Sequence, residues 1–248
     1  MIVLKSLKEI QRMKVPCRIV AEVLSRVVEA AIVGVSTLEL NSIAENEVAK
    51  HKAKPAFKGY SGYPFSLCCS LNDQVVHGMP SNVPLKNGDI LSLDFGAYYD
   101  GFFGDSAVTI PIGQITDDAK RLIEVTEASL RKAINAAIVG NKISDISSSV
   151  QAFVEANGYS VVRDFVGHGI GRNLHEQPQL PNYGLPGKGP KIRPGMVLAI
   201  EPMVNEKSFE VKILSDGWTA VTVDGGLSAH FEHTVAITDN GTEILTRL

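Results

Sequence analysis

The chain has 248 residues, of which 44% are hydrophobic and 21% charged, and its formal net charge at pH 7 is −3. These values are ordinary for a globular protein, and they offer no basic surface for nucleic acid or an anionic membrane. No stretch reaches the roughly 18 continuous apolar residues of a membrane span, and the first residues lack a signal-peptide pattern. Cys17, Cys68 and Cys69 form a poor disulfide framework. We therefore expect a cytoplasmic protein with reduced thiols.

The first half predicts two helices followed by strands. Ser6 and Glu9 form a capping-box pattern, and apolar residues at helical spacing continue over about 15–31. A second helix is predicted over about 37–51. The segments that follow are predicted as a strand–turn–strand over 70–77, a loop over 80–84, and a hairpin with arms at 90–98 and 103–112.

The second half repeats this order. Thr116 is a predicted N-cap for a helix to about residue 138, and a helix over 142–157 ends at Gly158. Strands are predicted at about 161–165, 196–203, 218–223 and 231–237, and the Pro/Gly-rich segment 177–194 is predicted as a loop. Two helices followed by strands, twice over, imply an α+β fold in which helices cover an antiparallel sheet.

Short segments of the two halves also match each other in sequence. Residues 88–94 echo residues 195–201, residues 105–110 echo residues 232–237, and the letters Ala-Ala-Ile-Val-Gly recur at 30–34 and 136–140. This pattern predicts an internal duplication. Because no linker-like tract separates the halves, we expect a single catalytic domain over 1–248, with halves of approximately 1–113 and 114–248.

The echoing segments place an acid at equivalent points, which yields Asp94 with Glu201 and Asp105 with Glu232. Asp94 and Asp105 lie on opposite arms of the predicted hairpin, where alternation of side chains lets both face one side. Four converging carboxylates cannot all be ionised unless cations neutralise them. A metal centre is the first hypothesis, and an ordinary buried salt bridge is the alternative for each acid.

Histidines supply the other candidate groups. His168 lies among closely spaced glycines and offers the imidazole that transition ions often add to carboxylate sites. The glycine spacing there is not the dinucleotide-binding fingerprint, and His175-Glu176 does not continue as a zincin motif. His77, His175 and the single tryptophan, Trp218, have structural roles as their simpler interpretation.

Taken together, these motifs resemble type I methionine aminopeptidase along nearly the whole chain. The matching segments are 54–60, 62–64, 72–80, 94–96, 104–107, 167–172, 174–176, 199–203 and 231–234. The resemblance implies the pita-bread fold, an α+β fold of two pseudo-symmetric halves. No N-terminal zinc-binding extension is expected, as in the bacterial-type short form.

The resemblance also implies a metal centre that holds two divalent cations, Co²⁺, Mn²⁺, Fe²⁺ or Zn²⁺. Its ligands fall on Asp94, Asp105, His168, Glu201 and Glu232, with Asp105 and Glu232 shared by both cations. A water or hydroxide that bridges the cations attacks the scissile carbonyl in this family. Which cation is used in the cell does not follow from the residues.

Substrate contacts follow from the same resemblance. His77 and His175 match histidines that bind and polarise the substrate, and Glu201 serves as proton shuttle. The methionine pocket maps to Tyr60, Tyr63, Cys68 and Trp218, with Phe57 and Leu174 at two positions that depart from the common bacterial pattern. Cys68 has a second interpretation as a small buried hydrophobe.

The implied activity is removal of the initiator methionine when residue 2 is small. The expected partners are N-terminal methionyl peptides and nascent chains, with the ribosome as a further candidate, and the expected state is a monomer. Proline-cleaving relatives with the same fold are the rival enzymes, but they carry an added N-terminal domain. A protein that only binds partners is the rival of another class, and it would be expected to lack ligands.

Overall fold

The computed structural model describes residues 1–248 and contains four helices and fifteen strands. The helices are α1 Leu7–Ala30, α2 Thr37–Lys50, α3 Asp117–Ala136 and α4 Ile143–Ala156. The strands are β1 Lys54–Pro55, β2 Cys68–Leu71, β3 Gln74–Val76, β4 Ile90–Tyr99, β5 Phe102–Pro111, β6 Ser160–Val161, β7 Gly167–Gly169, β8 Glu176–Leu180, β9 Val197–Ile200, β10 Met203–Asn205, β11 Val211–Ile213, β12 Ala220–Thr222, β13 Ser228–His230, β14 Glu232–Thr238 and β15 Gly241–Ile244. None of the helices has the length and apolar character needed to cross a bilayer.

The helix starts follow from local capping. Ser6 accepts a hydrogen bond from the Glu9 backbone N–H, and the Glu9 carboxylate accepts one from the Ser6 N–H, which completes a capping box at α1. Ser36 begins α2 in the same way, and the Thr116 side chain caps α3. The four helices predicted from sequence are confirmed to within about two residues at most of their ends.

The main sheet joins both halves. Its strand order is β1-β4-β5-β14-β9-β7-β8, with β2 added on β4 and β15 on β14, and every pairing is antiparallel. The predicted hairpin of β4 and β5 is therefore confirmed, and the sheet covered by helices agrees with the predicted α+β class.

Side-chain alternation gives the main sheet an apolar side and a polar side. On β4, Leu93 and Phe95 pack into a core with α1 and α2, whereas Asp94 lies between them and points to the other side. On β14, Val235 and Ile237 pack into a second core with α3 and α4, whereas Glu232 belongs to the opposite set. The helices therefore cover the side of the sheet that the acids avoid.

The two halves meet along β5 and β14. Ser106 is paired with His233 in this register, and these two residues are equivalents in the repeated segments. A pseudo-two-fold axis that relates the strands must therefore pass between them. Thr234 bridges the seam, since its hydroxyl accepts from the Asp105 N–H at 3.2 Å and donates to the Asp105 carbonyl at 2.8 Å. The boundary of the halves near residue 113 stays a prediction.

Several strand predictions were wrong or incomplete. Segment 177–194 is not all loop, because β8 occupies its start, and segment 161–165 contributes only the end of β6. The predicted strand 196–203 is broken into β9 and β10, since Pro202 has no N–H for a ladder. Strands β7, β11, β13 and β15 were missed, because three or four residues are too few to show periodicity.

We predict that the hydroxyl of Thr109 stabilises the junction between β5 and β13. It accepts from the His230 N–H at 2.8 Å and donates to the His230 carbonyl at 2.8 Å, all within a buried region. Thr109→Val should lower the free energy of unfolding by about 2 kcal/mol, because both backbone groups lose their partner. Thr109→Ser keeps the hydroxyl and is the control in urea denaturation; equal losses in the two variants would contradict the assignment.

Candidate metal centre and substrate cavity

Four acids and one imidazole meet on the polar side of the main sheet. Asp94 pairs in register with Ala107, and Asp105 with Gly96, so the two acids are diagonal neighbours on one face. Glu232 begins β14, and Glu201 follows the last residue of β9. Ligand atoms of Asp105, His168 and Glu232 lie within 4.8 Å of one another. Asp94 and Glu201 line the same cavity.

No lysine or arginine neutralises these acids. Glu201 has only imidazole neighbours, with His168 Nε2 at 3.4 Å and His230 Nε2 at 3.9 Å. The buried atoms Asp94 Oδ1, Asp105 Oδ1 and Glu232 Oε1 have no hydrogen-bond partner. Because buried polar atoms are almost always partnered, these orphaned oxygens indicate a missing cationic ligand. An ordinary salt bridge with lysine or arginine therefore accounts for none of the four acids.

Burial and mutual repulsion act together on the carboxyl groups. Burial, followed by the charge of Asp105, raises the pKa values of Asp94, Glu201 and Glu232 well above their usual range. Burial raises the pKa of Asp105 itself to about 7. The same removal from water lowers the pKa of His168 to about 3, so its imidazole is neutral and available as a ligand.

The tautomer of His168 suits metal binding. Its Nδ1 lies 2.9 Å from the Gly169 carbonyl oxygen, which can only accept, so Nδ1 carries the proton. The lone pair of Nε2 therefore faces Glu201 and the orphaned oxygens. Glycines flank His168 because the neighbouring strands approach closely: a Cβ on Gly167 would lie 2.5 Å from the Ala199 carbonyl oxygen. Five donors of this kind fit divalent transition ions.

A cavity of about 270 Å³ opens above these ligands. Tyr63 and Trp218 meet edge to face in its wall, with ring centroids 5.2 Å apart. Cys68 also lines the cavity and is paired in register with Asp94, so it lies beside the acids. Its wall therefore contains all four positions assigned to the methionine pocket by the resemblance: Tyr60, Tyr63, Cys68 and Trp218.

His77 and His175 both line this cavity. His77 has a left-handed backbone with φ of +58°, which is unusual for a residue other than glycine and is characteristic of functional positions. Its ring meets Phe165 edge to face. His175 Nδ1 lies 2.7 Å from the Tyr60 hydroxyl, and its ring centroid is 4.3 Å from that of His168.

The two positions that depart from the common bacterial pattern also line the cavity. Phe57 packs against the backbone of Gly96, where a Cβ would lie 2.8 Å from Phe57 Cε1 and 3.3 Å from Asp105 Oδ1. Leu174 is buried beside His175. Phe57 therefore borders the acids directly, and a larger residue than glycine at position 96 would displace it.

Sequence reasoning missed five cavity residues: Ser61, Val76, Phe165, Val166 and His230. His230 is the most informative, because its buried Nε2 has no hydrogen-bond partner and faces Glu201. Its position two residues before Glu232 was the available signal, since alternation places such residues on one side of an extended chain. No comparable pattern in the sequence pointed to Phe165 or Val166.

The fold agrees with comparisons to known proteins. The family described as metallopeptidase family M24 matches residues 11–239. A methionine aminopeptidase of Clostridium perfringens is 54% identical over 246 residues, which is 99% of each chain, and methionine aminopeptidase 1 of Bacillus subtilis is 52% identical over the full length of both. The crystal structure of methionine aminopeptidase from Thermotoga maritima superposes with a TM-score of 0.98 at 47% identity, covering 100% of both chains.

The pita-bread fold and the family match over residues 11–239 define a metallopeptidase. The chain belongs to metallopeptidase family M24 and, within it, to the methionine aminopeptidases.

We predict that metal binding releases protons. Because the carboxyl pKa values are raised, the metal-free site holds protons near pH 7 that a cation must displace, and the Mn²⁺ affinity should increase from pH 6 to pH 8. His168 contributes no proton, since its lowered pKa leaves it neutral. Titration calorimetry of metal-stripped protein, in buffers of different ionisation enthalpy, measures the number released. Heats that do not depend on the buffer would contradict the prediction.

Proposed function

We propose that this chain removes the N-terminal methionine from peptides and nascent proteins whose second residue is small, in a reaction that requires two divalent cations. The observation that carries the proposal is the juxtaposition of orphaned buried carboxylate oxygens with a cavity lined by aromatic rings and a cysteine. Full-length similarity to methionine aminopeptidases supports the same substrate.

The proposed ligands are Asp94, Asp105, His168, Glu201 and Glu232. Four carboxylates balance the charge of two divalent cations, and Asp105 and Glu232 are suited to sharing because both lie near the seam of the halves. Bound cations of this kind acidify a water and polarise a carbonyl oxygen. Oxygen donors with one imidazole suit Mn²⁺, Fe²⁺, Co²⁺ or Zn²⁺.

The proposed methionine pocket is the aromatic end of the cavity. A thioether makes favourable contacts with aromatic rings and with sulfur, which Tyr63, Trp218 and Cys68 provide. Phe57 and Leu174 narrow the space next to the acids, and Tyr60 is partly exposed at the mouth.

His77 and His175 are proposed to hold the substrate carbonyl and amide. Burial lowers the pKa values of both, so each is a neutral donor or acceptor at pH 7 rather than a cation. Tyr60 fixes one nitrogen of His175 and leaves Nε2 for the substrate. A neutral imidazole can donate to developing negative charge without repelling the nearby cations.

Glu201 is the proposed proton carrier. It lies at the strand end where the cavity meets the acids, and its carboxylate can accept a proton there and return it. The side chain of Asn182 donates to the Glu201 carbonyl at 2.9 Å and thereby fixes the backbone at this break. Glu201 would take a proton from the attacking water and deliver it to the leaving amine.

The proposed substrates also define where the protein acts. Nascent chains expose their initiator methionine as they leave the ribosome, so the reaction would take place in the cytoplasm. A monomer is sufficient for this proposal, because one chain supplies every ligand and every wall of the cavity.

We predict that metal-stripped protein regains hydrolysis of Met-Ala-Ser when Mn²⁺, Fe²⁺ or Co²⁺ is added, and that Leu-Ala-Ser, Met-Leu-Ser and Ala-Pro-Ala stay uncleaved. Release of free methionine is measured by chromatography. Cleavage of Ala-Pro-Ala would move the chain to a proline-specific reaction. If none of the four peptides is hydrolysed although metal is bound, the result would favour a protein that only binds partners.

We predict that Glu201→Gln lowers turnover of Met-Ala-Ser by about 10²–10⁴-fold, because an amide cannot carry the proton. Turnover is compared at matched metal content, measured by elemental analysis, so that weaker metal binding is separated from the loss of proton transfer. Glu210→Gln, at an exposed position that does not line the cavity, is the control. Near-normal turnover of the metal-loaded Glu201 variant would refute the role.

A further inference from the structure

A buried ion pair joins the N-terminal segment to the loop that carries His175. The ammonium of Lys5 donates to Glu176 Oε2 at 2.6 Å, and the two side chains are only 3% and 7% exposed. Buried lysines are rare unless paired, because removal of a charge from water is costly. This pair is referred to below as the N-terminal clamp, and it lies outside the cavity described above.

Glu176 organises the loop with its second oxygen. Glu176 Oε1 accepts from the backbone N–H groups of Arg172 at 2.8 Å and Asn173 at 3.1 Å. The carboxylate therefore closes the chain between residue 172 and the start of β8. The residues enclosed by this closure include Leu174 and His175, both of which line the cavity.

Lys5 is itself held in place from several directions. Its backbone N–H donates to the Gly195 carbonyl at 2.7 Å, and Ser6 next to it begins α1. Gly171 packs against the lysine side chain so closely that a Cβ there would lie 2.9 Å from Lys5 Nζ and 2.8 Å from Glu176 Oε1. The clamp is therefore a packed unit of the loop and the N-terminal segment.

The other link between α1 and this loop is weaker. Arg172 donates to Glu9 Oε1 at 3.0 Å, but its side chain is 58% exposed, and exposed pairs contribute little. The buried Lys5–Glu176 ion pair is thus the main electrostatic contact between the N-terminal segment and the loop.

We infer that Lys5 is a positioning residue for His175, acting through Glu176. The inference rests on the proposed function, in which His175 contacts the substrate. The position of His175 is constrained by two close contacts, because its Nδ1 lies 2.7 Å from the Tyr60 hydroxyl and its ring centroid lies 4.3 Å from that of His168. Without Lys5, the buried Glu176 carboxylate would lack its counter-charge and would move toward water, taking the loop with it.

The test compares Lys5→Met with Lys8→Met in the metal-loaded full chain. Lys8 is exposed on the first turn of α1, so it controls for loss of a lysine in this region. We expect Lys5→Met to lower kcat for Met-Ala-Ser by about 10- to 100-fold with a smaller change in KM, because displacement of a catalytic group by about 1 Å has effects of this size. Lys8→Met should stay within about twofold of the parent, as expected for a surface substitution.

A second readout does not require activity. In metal-free protein, the imidazole NMR signals of His175 should shift in Lys5→Met and stay unchanged in Lys8→Met. Unmoved His175 signals together with normal kcat would overturn the inference and leave the clamp a purely structural pair. Absence of peptide cleavage by the parent protein would instead refute the proposed function, and the NMR comparison would still decide the role of Lys5.

Glu176→Gln provides a variant that keeps the shape of the side chain. The double variant Lys5→Met/Glu176→Gln removes the uncompensated buried charge, so it should recover part of the kcat lost in Lys5→Met. If Lys5→Met does not fold, Glu176→Gln alone carries the test, with a shifted His175 signal expected and an unshifted one contradicting the inference.

Discussion

The mutual repulsion of four carboxylates, two of them buried and two half-buried, is the constraint on which this structure depends. Asp94, Asp105, Glu201 and Glu232 lie together without a lysine or arginine, and three of them leave an oxygen unpartnered. Such an arrangement persists only if something rigid holds the acids in place. Two apolar cores on the other side of the sheet supply that rigidity, because they fix the register of the strands from which the acids project.

The two halves of the chain correspond more closely at the proposed metal ligands than at the cavity wall. Asp94 and Glu201 are 107 positions apart, whereas Asp105 and Glu232 are 127 apart, because the second half inserts the small sheet of β10 and β13 between its two strands. The inserted segment also brings Trp218 and His230 to the cavity. The repeated strands thus supply the metal chemistry, and the segments that differ between the halves supply the pocket.

The sequence predicted the parts of this molecule that carry strong local signals. The capping box at Ser6, the N-cap at Thr116, the helical spacing of apolar residues and the echoing strands were sufficient for the helices, the central hairpin and the convergence of the acids. Strands such as β7 were not predictable, because three residues, two of them glycines, show no periodicity. Neighbours far away in the chain hold such a strand in place. His230 was also missed, because its role depends on its contact with Glu201, which is remote in sequence.

The division of the ligands between the halves has a consequence for the order in which the chain is synthesised. Asp94 and Asp105 are both synthesised at least 127 residues before Glu232. The seam between β5 and β14 cannot form before that point, and neither can the complete set of donors. A chain that ends before β14 therefore lacks both the seam and the complete set of proposed ligands, and such an N-terminal fragment is expected to be inactive.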